Sequence, residues 1–169
     1  MPAADDQFRI VCDPSLDNQR LAAGIWARAT ARRDGLAEVA AIDEKLPGIR
    51  SSLLRGGASL HVASRHGEAV GFALAVPEGE SLEVLYLAVD PATWGAGVGA
   101  RLLRHLDDYA RSMAYGELEL WAITDNERAV ALYERSGWQA TDEVKVRSSA
   151  GRLERRFVRQ VPLTRVESP

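Results

Sequence analysis

The chain has 169 residues, 46% of them hydrophobic and 27% charged, enough for one domain to bury a core without disulfide or metal staples. A net charge of -3 argues against nucleic acid or an anionic membrane as partner. With Cys12 the single cysteine, no intramolecular disulfide and no cysteine-based metal cluster can form, and the acidic N-terminus lacks an apolar signal core, so the expected location is the cytoplasm.

In chain order, residues 7–12 alternate as a short strand ended by Asp13-Pro14. Over 17–33, Leu21, Ile25, Trp26 and Ala29 recur at helical spacing. A second helical stretch is predicted from Leu36, with Val39, Ile42 and Leu46, interrupted by Pro47-Gly48 and resuming over 49–54. Strands at 59–64 and 69–76 flank the turn His66-Gly67-Glu68. Residues 82–89, rich in Val, Leu and Tyr, are the most strand-like segment, and Asp90-Pro91 ends it. A long helix is predicted over 98–114, with Leu102, Leu103, Leu106, Tyr109, Ala110 and Met113 as one apolar stripe. A strand at 117–123 precedes a short helix at 126–135, closed by Gly137, with Thr124 and Glu127 spaced as a capping box. Two strands, at 139–147 and 155–163, finish the fold, and the tail 164–169 is expected to fray.

Three further features bound the function. His61, His66 and His105 have no ligand-like spacing, so no metal site is expected. No apolar run approaches the ~20 residues that span a bilayer, so no membrane partner is expected. Arg147, Arg152, Arg155, Arg156 and Arg159 read as the solvated face of the closing hairpin. The alternation of strands and helices points to one α/β or α+β domain over 1–169 with a central sheet.

The densest chemical signal is Trp94-Gly95-Ala96-Gly97-Val98-Gly99-Ala100, set between a strand and a helix start. Glycines let the backbone approach an anion, and the helix start offers unpaired N–H groups with a favourable dipole, so phosphate is the natural ligand. A Walker loop needs Gly-Lys-Ser/Thr where Gly99-Ala100-Arg101 stands, and a dinucleotide fingerprint needs Gly-x-Gly-x-x-Gly rather than Gly95-x-Gly97-x-Gly99.

This loop, after Leu87-Ala88-Val89-Asp90-Pro91, resembles the cofactor motif of the GNAT superfamily of N-acetyltransferases, Q/R-x-x-G-x-G/A between strand and helix. The later run from Asn126 through Ala129, Tyr133 and Gly137 to Trp138 resembles that family's second cofactor motif. The resemblance implies an α+β fold with a mixed, mostly antiparallel central sheet flanked by helices. It implies that the backbone of Leu87, Ala88 and Val89 pairs with the pantetheine arm of acetyl-CoA, with Leu87 N–H polarising the thioester carbonyl. The amides of Gly95, Ala96, Gly97, Val98, Gly99 and Ala100 would hold the pyrophosphate, and Asn126 would contact the pantetheine. Trp94 stands where the family usually has Gln or Arg, so a side-chain phosphate donor is replaced, and Arg101 or Arg104 could supply charge instead.

The resemblance also implies catalytic roles. Tyr133 falls where the family places a general acid, and a phenol with pKa near ~10 is protonated at neutral pH. A base is needed because an amine of pKa about 10.4 is neutral only ~1 part in 2,500 at pH 7, a deficit on the order of 4–5 kcal/mol. Some members carry it at the strand position of Glu83, which shares strand parity with Leu87 and Val89; Glu80 or a water chain is the fallback. The fifth-strand glutamate of other members is replaced here by Trp121. The expected activity is transfer of acetyl from acetyl-CoA to a primary amine, small molecule or peptide, by direct attack in a ternary complex. Nothing places Cys12 near a motif, so an acyl-cysteine route has no support. A different acyl donor, and a non-catalytic acyl-CoA-binding module, are the competing readings; a homodimer is compatible with either. Trp26, Trp121 and Tyr86 are read as core rather than as acceptor walls.

Overall fold

The computed structural model describes residues 7–147 and 151–163; the tail 164–169, read as frayed, lies outside them. In order the elements are β1 (Phe8–Cys12), α1 (Leu16–Asp34), α2 (Ile42–Leu53), β2 (Ser59–Arg65), β3 (Glu68–Glu78), β4 (Ser81–Val89), a 3-10 turn (Pro91–Thr93), α3 (Val98–Ser112), β5 (Glu117–Ile123), α4 (Glu127–Arg135), β6 (Gln139–Val146) and β7 (Leu153–Gln160). The strands follow the order β1-β2-β3-β4-β5-β7-β6 in one seven-stranded, mostly antiparallel sheet, the α+β class expected.

Two compact units divide the chain: one holds the residues up to Val76 plus Val84–Leu102, the other Pro77–Glu83 and the chain from Leu103 onward. In the first, Ser15 Oγ caps α1 by accepting from Asn18 N, and Gly35 closes it in the left-handed region. Ala22, Ala23 and Ile25 of α1 and Leu46 and Ile49 of α2 bury against Leu60, Val62, Phe72, Leu74 and Val76. α2 departs from the expectation. It starts at Ile42, not Leu36, and runs through Pro47 without a break. Leu36 and Val39 are exposed, so nothing draws residues 36–41 into helix. Burying Leu46 and Ile49, at roughly 1.5–3 kcal/mol each, offsets the roughly 3 kcal/mol that a mid-helix proline costs.

In the second unit, β7 pairs with β5 on one side and β6 on the other, with a bulge between Ala140 and Val144. Strand alternation sorts the side chains: Leu118, Leu120 and Phe157 are buried in the core, whereas Glu117, Glu119, Trp121 and Arg156 share the opposite face. The α3 stripe holds for Leu102, Leu103, Leu106 and Ala110 but not for Met113, which is exposed because the helix stops at Ser112 and Ala114 turns left-handed.

Candidate active site

Asp90, directly after β4, is tied to Val70, Ala92 and Arg28. Its N–H donates to Val70 O (2.8 Å), its Oδ1 accepts from Ala92 N (3.1 Å), and its Oδ2 accepts from Arg28 Nε (2.9 Å) and lies 2.7 Å from Arg28 Nη2. The 3-10 turn so fixed delivers Trp94, whose indole Nε1 donates to Val89 O at 2.9 Å. The residue standing in place of the family's phosphate donor thus braces the strand end that the pantetheine arm is expected to follow.

Beyond it, Gly95 and Gly97 take φ of 84° and 79°, and a Cβ at either would meet nothing within 4 Å. The loop is open to solvent, in a conformation that L side chains disfavour. Arg101 N donates to Gly97 O (3.1 Å), so the amides of Val98, Gly99 and Ala100 form the first helical turn, which has no intrahelical acceptors and carries the positive end of the dipole. These residues fit a pyrophosphate held by main-chain donors. Arg101 lies with its guanidinium 4.0 Å from the centroid of the Phe8 ring, and Arg104 is exposed.

In the second unit, Asn126 rather than Thr124 caps α4: its Oδ1 accepts from Ala129 N at 3.3 Å. With that oxygen engaged, the side chain offers a ligand its Nδ2 donor. The other end of α4 fixes Tyr133. Trp138 N donates to Tyr133 O (3.0 Å) and Gly137 N to Glu134 O (3.1 Å), a Schellman closure with Gly137 at φ 82°. The closure packs the Trp138 ring 6.1 Å from that of Tyr133, and Phe157 of β7 sits 5.6 Å away. Tyr133 is 7% exposed, and burial pushes its phenol up to about 12. Sequence reasoning named Tyr133 but not the Trp138 and Phe157 rings against it; the aromatic directly after Gly137 was the available signal.

Glu83 is also buried, while Glu80 lies exposed in the turn between β3 and β4. The Glu83 carboxylate pairs with Arg147 at 2.8 Å. Beside it, Arg156 Nε donates to Glu119 Oε2 (2.6 Å), and its other nitrogens reach Glu117 (3.3 Å) and Glu143 (3.2 Å). Arg155 donates to Thr141 O and Arg159 pairs with Asp107 at 3.2 Å. The closing-hairpin arginines are therefore not a plain solvated face: Arg147, Arg155, Arg156 and Arg159 are each tied to the positions just named. The available signal was Glu117 and Glu119, two residues apart and so on one face of β5, the face that the register gives to Arg156. Trp26 and Tyr86 stack with centroids 4.5 Å apart and pack against the first unit's core, as read, whereas Trp121, read with them as core, lies on the charged face of β5 beneath Lys145 and Arg147. Cys12, at the end of β1, has a thiol raised above its ordinary value by burial and by Asp13, which disfavours the thiolate. Among the described residues no cluster of His, Cys, Asp and Glu could hold a metal ion, and no helix is long and apolar enough to cross a membrane.

The chain belongs to the acetyltransferase (GNAT) family, whose profile matches residues 26–138. It is 49% identical over 57 residues to the N-alpha-acetyltransferase RimI of Mycobacterium tuberculosis, covering 34% of this chain and 34% of that protein. The matches to curated relatives span only 15% to 40% of those relatives' own lengths. In fold it is similar to the ribosomal-protein-S18-alanine N-acetyltransferase of Escherichia coli (TM-score 0.72, 19% identity, 96% of this chain and 99% of that one). It is likewise similar to yncA of Salmonella typhimurium, solved with its cofactor acetyl-CoA (TM-score 0.68, 19% identity, 96% and 99% covered).

Proposed function

We propose that the chain transfers an acetyl group from acetyl-CoA to a primary amine by direct attack within a ternary complex. The observation that carries this reading is the open glycine loop running into the bare first turn of α3, a main-chain cradle suited to a pyrophosphate. The solved acetyl-CoA complex of a protein with this fold supports acetyl-CoA as donor.

The chain's residues divide the work. The amides of residues 95–100 hold the pyrophosphate, the backbone of Leu87, Ala88 and Val89 lines the pantetheine arm, and Asn126 contacts it through Nδ2. Leu87 N–H stabilises the carbonyl oxygen as the amine lone pair adds to carbon. The C–S bond then breaks, and Tyr133 O–H donates a hydrogen bond to the departing sulfur. Outright transfer of its proton is costly: a phenol near 12 facing a thiol of about 8.5 is uphill by roughly 5 kcal/mol. The proton that finally neutralises the sulfur comes from the amine, relayed through Glu83 or water.

The test is release of free thiol from acetyl-CoA across a panel of amines. A peptide N-terminal amine heads the panel, because RimI and the S18-alanine enzyme carry that chemistry in their names; lysine side-chain and small amines follow. Binding of acetyl-CoA with no thiol release on any acceptor would replace transfer with a non-catalytic binding role.

A further inference from the structure

Trp121 lies under two cations from β6 and its end: Lys145 Nζ is 4.2 Å, and Arg147 Cζ 5.0 Å, from its ring. The same Arg147 guanidinium pairs with Glu83 at 2.8 Å, so one cation touches a carboxylate and an aromatic face together. The two partners differ in burial: the Glu83 side chain is 5% exposed and that of Arg147 is 33% exposed. The acid is therefore fixed in the fold, and the arginine, reaching in from the end of β6 on a long flexible stem, is the exchangeable member. The neighbouring acids do not compete for it, since Glu117 and Glu119 are both held by Arg156.

A buried carboxylate and an indole face that share one guanidinium make a binding site for an organic cation. An amine acceptor arrives as such a cation, because its ammonium form dominates at neutral pH. We infer that Glu83 and Trp121 form the acceptor's cation subsite and that Arg147 is its resident occupant, displaced when the acceptor's ammonium group binds. This inference rests on the amine-transfer reading for its meaning, although the subsite can be tested without turnover. The apparent affinity of such a site is the intrinsic affinity multiplied by the fraction of time the occupant is away. If Arg147 holds the site about nine-tenths of the time, removing it tightens cation binding about tenfold.

The probe is n-butylammonium chloride, with n-butanol as its uncharged counterpart, titrated into the whole chain and followed by tryptophan fluorescence. Arg147→Ala is expected to bind butylammonium about tenfold more tightly than the native chain, and Arg147→Lys to return close to native affinity. Adding Glu83→Gln to Arg147→Ala is expected to abolish the gain, and butanol is expected to show none. Equal butylammonium affinity in Arg147→Ala and the native chain overturns the inference, as does a gain that survives Glu83→Gln or appears equally with butanol. Should Arg147→Ala fail to fold, Arg147→Gln, which keeps a hydrogen-bond donor toward Glu83, carries the same comparison. In turnover assays the same variant should lower the KM for the amine and leave the KM for acetyl-CoA unchanged. Absence of thiol release by the native chain would instead count against the transfer reading and leave the binding result to stand by itself.

Discussion

Tyr133 and Glu83 carry separable residue-scale predictions. Tyr133→Phe keeps the ring that packs on Trp138 and Phe157, so it should fold normally while losing most of its turnover; an unchanged kcat removes the donor role. The raised phenol also leaves a mark on stability. The folded state keeps the proton between pH 10 and about 12, where the unfolded chain has lost it, so this contribution is complete below pH 10 and is lost as pH rises toward 12. Between pH 9 and 11.5 the native chain should lose about 2 kcal/mol more unfolding free energy than Tyr133→Phe, measured by urea melts at both values. For Glu83→Gln, the rate should fall at neutral pH and recover at alkaline pH, where the amine deprotonates unaided. Wild-type rates at both values would reassign the base to water.

Short turns govern the next scale up. Gly97→Ala places a side chain at φ 79°, a conformation costing about 1–2 kcal/mol, on the open face of the loop. Steady-state kinetics should show a higher KM for acetyl-CoA with the KM for the amine little changed. Gly137→Ala strains the Schellman closure at φ 82° and brings a Cβ to 2.7 Å from Arg159 Nη1. It should lower the melting temperature and, through the displaced Tyr133, kcat as well. These turns were legible in the sequence because glycine spacing encodes a backbone requirement directly. β5 was legible to the residue, since Leu118 and Leu120 alternate with Glu117 and Glu119. The path of residues 36–54 was not, because apolar Leu36 and Val39 mimic a buried face, and only tertiary packing of Leu46 and Ile49 shows where the helix lies. Likewise Arg147 could not be matched to Glu83 from sequence: the pair spans 64 positions, and ion-pair partners leave no local pattern.

At the scale of the molecule, β4 and α3 each continue from one compact unit into the other, with the divisions falling between Glu83 and Val84 and between Leu102 and Leu103. Melting one unit alone would break a strand and a helix in mid-course, which cooperative hydrogen bonding opposes. We therefore propose that the chain behaves as one domain. Far-UV circular dichroism and tryptophan fluorescence should trace a single coincident thermal transition; two resolved transitions would divide it. A molecule-wide consequence also attaches to the Arg28–Asp90 pair, which ties mid-α1 to the turn that leads into the glycine loop. Anyone retargeting this protein by grafting a foreign first helix would be editing the glycine loop's anchorage as well. A transplant lacking arginine at position 28 should arrive with weakened coenzyme binding before its new selectivity can be assayed, and restoring that one side chain is the repair to try first.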